Sequence, residues 1–150
     1  MIALDTNILA YAISEDDPLG RHKAALSLLA HVAPTGAIVP LPVFGEFFNA
    51  CRKKKLTTAD VIISRVELWM SVFECPPAAS DDYLMASVIA ERFKLQYFDA
   101  LIVAVVKRAG ATMLLSEDMH DGLEIEGLKI VNPFAAANET LLADYFGSAL

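Results

Sequence analysis

Cysteine is nearly absent: Cys51 and Cys75 are the only two, far apart and with no CxxC companion. Such a pair builds neither a disulfide framework nor a zinc site, so two reduced, mostly buried thiols are expected. Long apolar runs are missing too. A spanning helix needs roughly 20 consecutive apolar residues, and the purest run, Ala100 to Val106, stops at Lys107 and Arg108. No membrane partner is expected. No basic leader precedes the first apolar residues and Asp5 interrupts them, which predicts a cytoplasmic location. Basic residues are outnumbered, 12 Lys and Arg against 19 Asp and Glu, for a formal net charge of -7. An acidic chain is a poor non-specific binder of nucleic acid, unless carboxylates gather around divalent cations and reverse the local field. Repeats, low-complexity tracts and Ser/Gly linkers are also lacking, and 150 residues suit a single domain over 1-150. What is abundant is apolar material, 55% of the chain, which excludes a disordered tail and supplies a core.

That apolar material falls into short runs alternating with stretches of helical period. Met1 to Leu4 reads as a strand ending at Asp5, followed at once by a helix over Ile8 to Ile13. Asp16 or Asp17 can cap a second helix, with Pro18 near its first turn and an end at Pro34 and Gly36. Ala37-Ile38-Val39 is a short β-prone run, and helical spacing returns from Val43 to Lys53. Thr57-Thr58-Ala59-Asp60 has capping-box spacing and opens a helix to about Phe73. Glu74-Cys75 suits a minor strand; Ser80 can cap a helix to about Phe93; Asp99 starts another that Gly110 ends. Thr112 to Leu115 and Lys129 to Val131 are the last strand candidates. Strands alternating with helices, none joined by hairpin turns, imply an α/β fold with parallel strands between helical layers.

Certain acids stand out by position. Asp5 follows the first strand directly, and Ser116-Glu117-Asp118 follows Thr112 to Leu115. In an open parallel sheet the crevice lies beyond the carboxyl ends of the strands, so both project toward the usual site. Glu46 lies within Val43-Phe44-Gly45-Glu46-Phe47-Phe48, and Asp99 precedes a wholly apolar stretch. A charge so placed costs several kcal/mol to desolvate unless it is paired, near water or bound to metal. Singly, each has a bland alternative: Asp5 or Asp99 as a helix cap, Glu46 at a solvent edge, Asp118 in a turn. One common cause accounts for all four. If they converge, unit charges about 4 Å apart repel by roughly 4 kcal/mol per pair at an effective dielectric near 20, and the cluster needs a cation. Oxygen-only ligands favour Mg²⁺ or Mn²⁺ over zinc. The chemistry this suits is phosphodiester hydrolysis, in which metal activates water and stabilises the leaving oxygen.

Helical spacing puts Glu46, Asn49 and Lys53 on one face. Arg52-Lys53-Lys54-Lys55 is the one dense basic run; it suits contact with RNA phosphates, and equally a solvated helix end. His22, His31 and His120 show no ligand spacing and read as surface or packing residues. The Thr58 to Phe73 helix has one apolar seam of Ile62, Val66, Trp69 and Phe73, with Ile63 and Met70 displaced from it. The displaced pair suits a protein interface or a thicker core.

Ile2-Ala3-Leu4-Asp5-Thr6-Asn7-Ile8-Leu9, Glu46 in an apolar helix, Phe98-Asp99-Ala100-Leu101-Ile102-Val103-Ala104 and Leu114-Leu115-Ser116-Glu117-Asp118 together resemble a PIN domain of the bacterial VapC-like toxin kind. The resemblance runs from residue 1 to about 134. It implies a three-layer α/β/α sandwich with a central parallel sheet, Mg²⁺- or Mn²⁺-dependent ribonuclease activity, and an antitoxin that blocks the site. By resemblance Asp5, Glu46, Asp99 and Asp118 match the acidic quartet, Asn7 the polar residue after the first acid, and Ser116 the hydroxyl residue supporting the last. Asp5 and Asp99 are then the principal metal ligands; Glu46 and Asp118 complete the shell, directly or through water. Asn49, Arg52 and Lys53 are substrate-binding candidates, and a homodimer is expected. The last segment departs from the pattern: Glu117, Asp118, His120 and Asp121 crowd together, and an aromatic residue often found shortly after the final acid is missing. Two rivals remain: a phosphatase using Asp5 as nucleophile, in which Asn7 stands where a second Asp is usual, and a catalytically silent PIN-like RNA- or protein-binding module.

Overall fold

Ile2, Ala3 and Leu4 are all buried although successive side chains of a strand point to opposite faces. A strand buried on both sides needs a layer on each. The computed structural model, which describes residues 1–148, supplies those layers from helices. Its sheet contains β1 (Ile2–Leu4), β2 (Met113–Leu115), β3 (Glu124–Ile125) and β4 (Leu128–Val131), in the spatial order β1-β2-β4-β3. β1 pairs in parallel with β2, Leu4 opposite Leu115, and β2 in parallel with β4, Leu115 opposite Val131. Beyond β1, Ile38 forms one parallel bridge to Ala3 and one to Glu74, so neither the Ala37-Ile38-Val39 run nor Glu74-Cys75 becomes a full strand.

Seven α-helices flank the sheet among the described residues: α1 (Thr6–Ile13), α2 (Arg21–Val32), α3 (Leu41–Lys53), α4 (Ala59–Val72), α5 (Ser80–Phe93), α6 (Tyr97–Arg108) and α7 (Glu139–Phe146). α1 packs on α2 and α3, and α5 packs along α6. α6 is the most enclosed, with every residue from Ala100 to Val106 buried. Its apolar run therefore serves a central helix of the core. The result is an α/β sandwich of the expected class.

Four local expectations are corrected. The strands are not free of hairpins: β3 runs antiparallel to β4 and reaches it through Glu126 and Gly127, whose φ values of 48° and 87° suit a tight primed turn. The sheet is thus parallel with an antiparallel edge. α2 begins at Arg21, with Gly20 and not Asp16 or Asp17 at the cap position, because Gly20 takes a φ of 73° and breaks the helical path. Asp17 still acts at that end, accepting the backbone N–H of Leu19 and of His22 at 3.1 Å each. The residues flanking α4 and α5 are Thr58, with no side-chain cap bond, and Ala79. In α5 the third helical residue, Asp82, reaches back to the Ala79 N–H at 2.7 Å. Finally, α6 starts at Tyr97, so Asp99 lies inside its first turn and is not its cap.

Candidate active site

Parallel pairing of β1 with β2 brings their carboxyl ends side by side, and the next residues along the chain are Asp5 and Ser116. The Ser116 hydroxyl donates to Asp5 Oδ2 at 2.6 Å, and both residues are buried. Asp5 Oδ1 accepts the Thr6 N–H at 2.7 Å, so the same carboxylate caps α1. One turn of α1 then delivers Asn7, whose amide nitrogen lies 3.2 Å from Asp5 Oδ2 and 3.2 Å from Asp118 Oδ2. Two acids 113 positions apart in sequence thereby share one amide.

Glu46, in the middle of α3, accepts the Thr6 hydroxyl at 2.8 Å, tying α3 to the start of α1. Asp99 enters from the first turn of α6, where the positive end of the helix dipole favours a carboxylate. The electrostatics show that these groups face one another. Burial pushes the Asp5 carboxyl up to about 7, against the Ser116 and Thr6 hydrogen bonds that hold it down, and the charges of Asp99 and Glu46 add to the rise. Asp99 is pushed up to about 6, first by burial and then by Glu46 and Asp118. Asp5, Glu46, Asp99 and Asp118 therefore occupy one field, contributed by the residue after β1, by α3, by α6 and by the loop after β2.

The donor set is all oxygen, and burial first, with neighbouring like charges adding to it, makes Asp5 and Asp99 resist ionisation; that is the chemistry that suits Mg²⁺ or Mn²⁺. Among the described residues, no three carboxylate, imidazole or thiol groups are gathered closely enough to enclose one cation in the rotamers present. The fit rests on the chemistry of the donors and on their shared field, not on a formed cage.

Asn49, Arg52 and Lys53 lie exposed on α3, downstream of Glu46. Arg52 stacks over the Phe48 ring at 5.7 Å, and among the described residues none of the three bonds to the acids through its side chain. His22 and His31 each bond a backbone carbonyl, and His120 is exposed. The crowded last segment sorts itself by partner. Asp121 accepts the Asn132 N–H at 2.8 Å and the Asn138 amide at 2.9 Å, tying down the chain before α7. Glu117 turns away from the acids to Tyr11 and Arg21. Of the three carboxylates, that of Asp118 is the one that accepts from the Asn7 amide.

Sequence reasoning missed Thr6, Tyr11 and Arg21. Thr6 carried a usable signal, as the hydroxyl residue directly after the strand-end acid. Tyr11 lies four residues after Asn7 and so shares its helical face. Arg21 had none, because only the tertiary fold brings α2 to the loop after β2.

The family model for the PIN domain matches residues 2–120. No curated protein matches the chain. Among solved structures, a toxin-antitoxin complex from Klebsiella pneumoniae superposes with a TM-score of 0.65 at 21% identity, covering 89% of this chain and 98% of that one. VapC20 of Mycobacterium tuberculosis, a sarcin-ricin loop cleaving toxin, gives 0.65 at 18% identity, covering 79% and 92%. FitAcB from Neisseria gonorrhoeae gives 0.63 at 16% identity, covering 89% and 99%. Each likeness is one of fold.

Proposed function

The chain belongs to the PIN domain family, and on that premise we propose that it is a divalent-metal-dependent endoribonuclease hydrolysing RNA phosphodiester bonds. In this reading it is the cytoplasmic toxin of a toxin-antitoxin pair, held in check by a cognate antitoxin protein. One observation carries the proposal: the Asn7 amide lies 3.2 Å from both Asp5 Oδ2 and Asp118 Oδ2, and Thr6, between Asp5 and Asn7, ties Glu46 to the same helix start, so acids from distant stretches gather there with, among the described residues, no cation of the chain bonded to them. Such an arrangement is unfavourable for a merely structural core and suits a hard cation.

Asp5 and Asp99 are assigned as the principal ligands of Mg²⁺ or Mn²⁺, with Glu46 and Asp118 completing the shell directly or through water. The bound ion would supply activation of water and stabilisation of charge at the phosphate. Asn7 and Ser116 hold the Asp5 carboxylate in orientation, and Asn7 also holds Asp118. Glu46, which accepts the Thr6 hydroxyl, would orient the attacking water or accept its proton. Asn49, Arg52 and Lys53, on the same helix as Glu46, would meet RNA phosphates.

The partner side of the reading draws on α4. Ile62 and Trp69 pack inward, whereas Ile63 and Met70, with Val61, Leu68 and Val72, stay exposed. An apolar face of that kind supports a homodimer, and Met70→Glu would then lower the sedimenting mass to that of one chain.

The test of activity uses chain freed of any partner, incubated with RNA and Mn²⁺, with and without chelator. Cleavage that is lost with chelator and lost in Asp5→Asn upholds the proposal. No cleavage with Mn²⁺ present would favour a silent binding module. Release of phosphate from small phosphomonoesters with an aspartyl-phosphate on Asp5, and no RNA cleavage, would favour a phosphatase.

A further inference from the structure

Beside the acids lies a second cluster, built on Glu117, Tyr11 and Arg21. Glu117 accepts the Tyr11 hydroxyl and pairs with the Arg21 guanidinium. Arg21 also stacks over the Tyr11 ring at 5.4 Å, and that ring packs edge-on against Phe134 at 5.3 Å. The Tyr11 hydroxyl is pushed up to about 12, by burial first and then by Glu117, so it stays a donor. Glu117 is thus gripped from α1 and α2 at once. Its backbone N–H donates in turn to Asn7 Oδ1 at 3.3 Å.

That last bond has a consequence for orientation. An asparagine amide can lie either way round, and its neighbours decide which. With Oδ1 taken by the Glu117 N–H, Nδ2 must face the other way, toward Asp5 and Asp118 at 3.2 Å each. Reversed, a carbonyl oxygen would face two carboxylates. We propose that Arg21 and Tyr11 are positioning residues which, by clamping Glu117, fix the orientation of Asn7 and through it the spacing of Asp5 and Asp118. Glu117 itself holds no metal in this scheme; its carboxylate is spent on the clamp.

The inference rests on the nuclease reading for its activity readout and on Asn7 alone for its structural one. Outer partners of metal-binding carboxylates typically change metal affinity by about 10- to 100-fold when removed. Arg21→Ala should therefore weaken Mn²⁺ binding, measured by titration calorimetry, by about tenfold, and lower kcat while KM for RNA stays unchanged. Arg21→Lys, which keeps a cation for Glu117, should recover most of that loss. Combining Arg21→Ala with Asn7→Ala should be no worse than Asn7→Ala alone, because both act through one amide. Hydrogen exchange of the Asn7 side-chain amide in metal-free protein should be slow in the wild type and faster in both Arg21→Ala and Glu117→Gln. Unchanged Asn7 exchange in those variants, or additive effects of the two alanine substitutions on Mn²⁺ affinity, would overturn the clamp. If the wild type neither binds Mn²⁺ nor cuts RNA, the nuclease reading fails, and the Asn7 exchange still decides the clamp by itself.

Discussion

The Ser116 hydroxyl, one residue beyond β2, donates to Oδ2 of Asp5, one residue beyond β1, at 2.6 Å. This bond favours the ionised carboxylate and opposes the burial that lifts Asp5 to about 7. Ser116→Ala removes it without adding bulk, so the Asp5 pKa should rise further. Carbon-13 titration of the Asp5 carboxyl would show it. A pKa that stays put or falls would mean that the hydroxyl does not favour the charged form.

Neutralising the acids should separate activity from stability. Asp5→Asn and Asp99→Asn should each abolish RNA cleavage while the fold survives. At pH 8 both should stabilise the metal-free protein, Asp5→Asn by on the order of 1–2 kcal/mol and Asp99→Asn by less, since a buried or crowded charge is removed. Urea unfolding and circular dichroism check the second half. Cleavage at the wild-type rate by either variant would contradict the site assignment.

The pH dependence follows from the same two groups. Both folded-state values, about 7 for Asp5 and about 6 for Asp99, lie above the ordinary aspartate value of 3.8. A group raised on folding contributes stability that is full below its unfolded pKa and is lost as pH climbs through the folded one. The metal-free protein should therefore lose stability between about pH 4 and pH 7 through these acids. Mn²⁺ displaces their protons, so it should raise the melting temperature more at pH 8 than at pH 5.5. An equal rise at both values would remove these carboxyls from the binding equilibrium.

Asp82 should show the opposite sign. It is 3% exposed, accepts Arg108 Nε at 3.0 Å and Nη2 at 2.8 Å, and takes the Ala79 N–H as well. The Arg108 hydrogen bonds hold its carboxyl below the usual range, outweighing the effect of burial. Its stabilisation is present above the unfolded pKa and fades as pH falls through the lower folded value. Asp82→Ala strands the Ala79 N–H and should cost about 2 kcal/mol, measured by urea unfolding at pH 7. A loss that does not shrink toward pH 3 would contradict the linkage.

What could be read from the letters was whatever a short stretch decides alone. β1 and β2 were legible because each is a brief apolar run ending in a polar residue, and Asp5 and Asp118 were legible as acids just beyond them. Glu46 and Asp99 betrayed themselves as charges in apolar helices. The β3 to β4 hairpin was not legible, because Glu126-Gly127 lacks the Asn or Asp that usually marks a primed turn. α7 was missed since residues 133–150 carry no clear period, and its packing comes from elsewhere in the fold. The Arg21 and Tyr11 contacts with Glu117 join three separate elements, and local spacing does not encode such a meeting.

The unread hairpin offers its own test. Gly127 sits at φ 87°, and a Cβ built there meets nothing within 4 Å. Gly127→Ala therefore creates no clash, and any loss must come from forcing an L side chain into the left-handed region. That cost is about 1 kcal/mol. Glu126 at φ 48° already bears such strain, which its pairing with Lys107 and Arg92 helps to offset. Gly127→Ala should lower stability by that amount in urea unfolding and leave RNA cleavage unchanged, because the hairpin lies at the sheet edge, away from Asp5 and Asp99. A neutral substitution would show that the turn relaxes to another type, and a loss of several kcal/mol would show that the edge pairing of β3 with β4 supports much more of the core than two residues suggest.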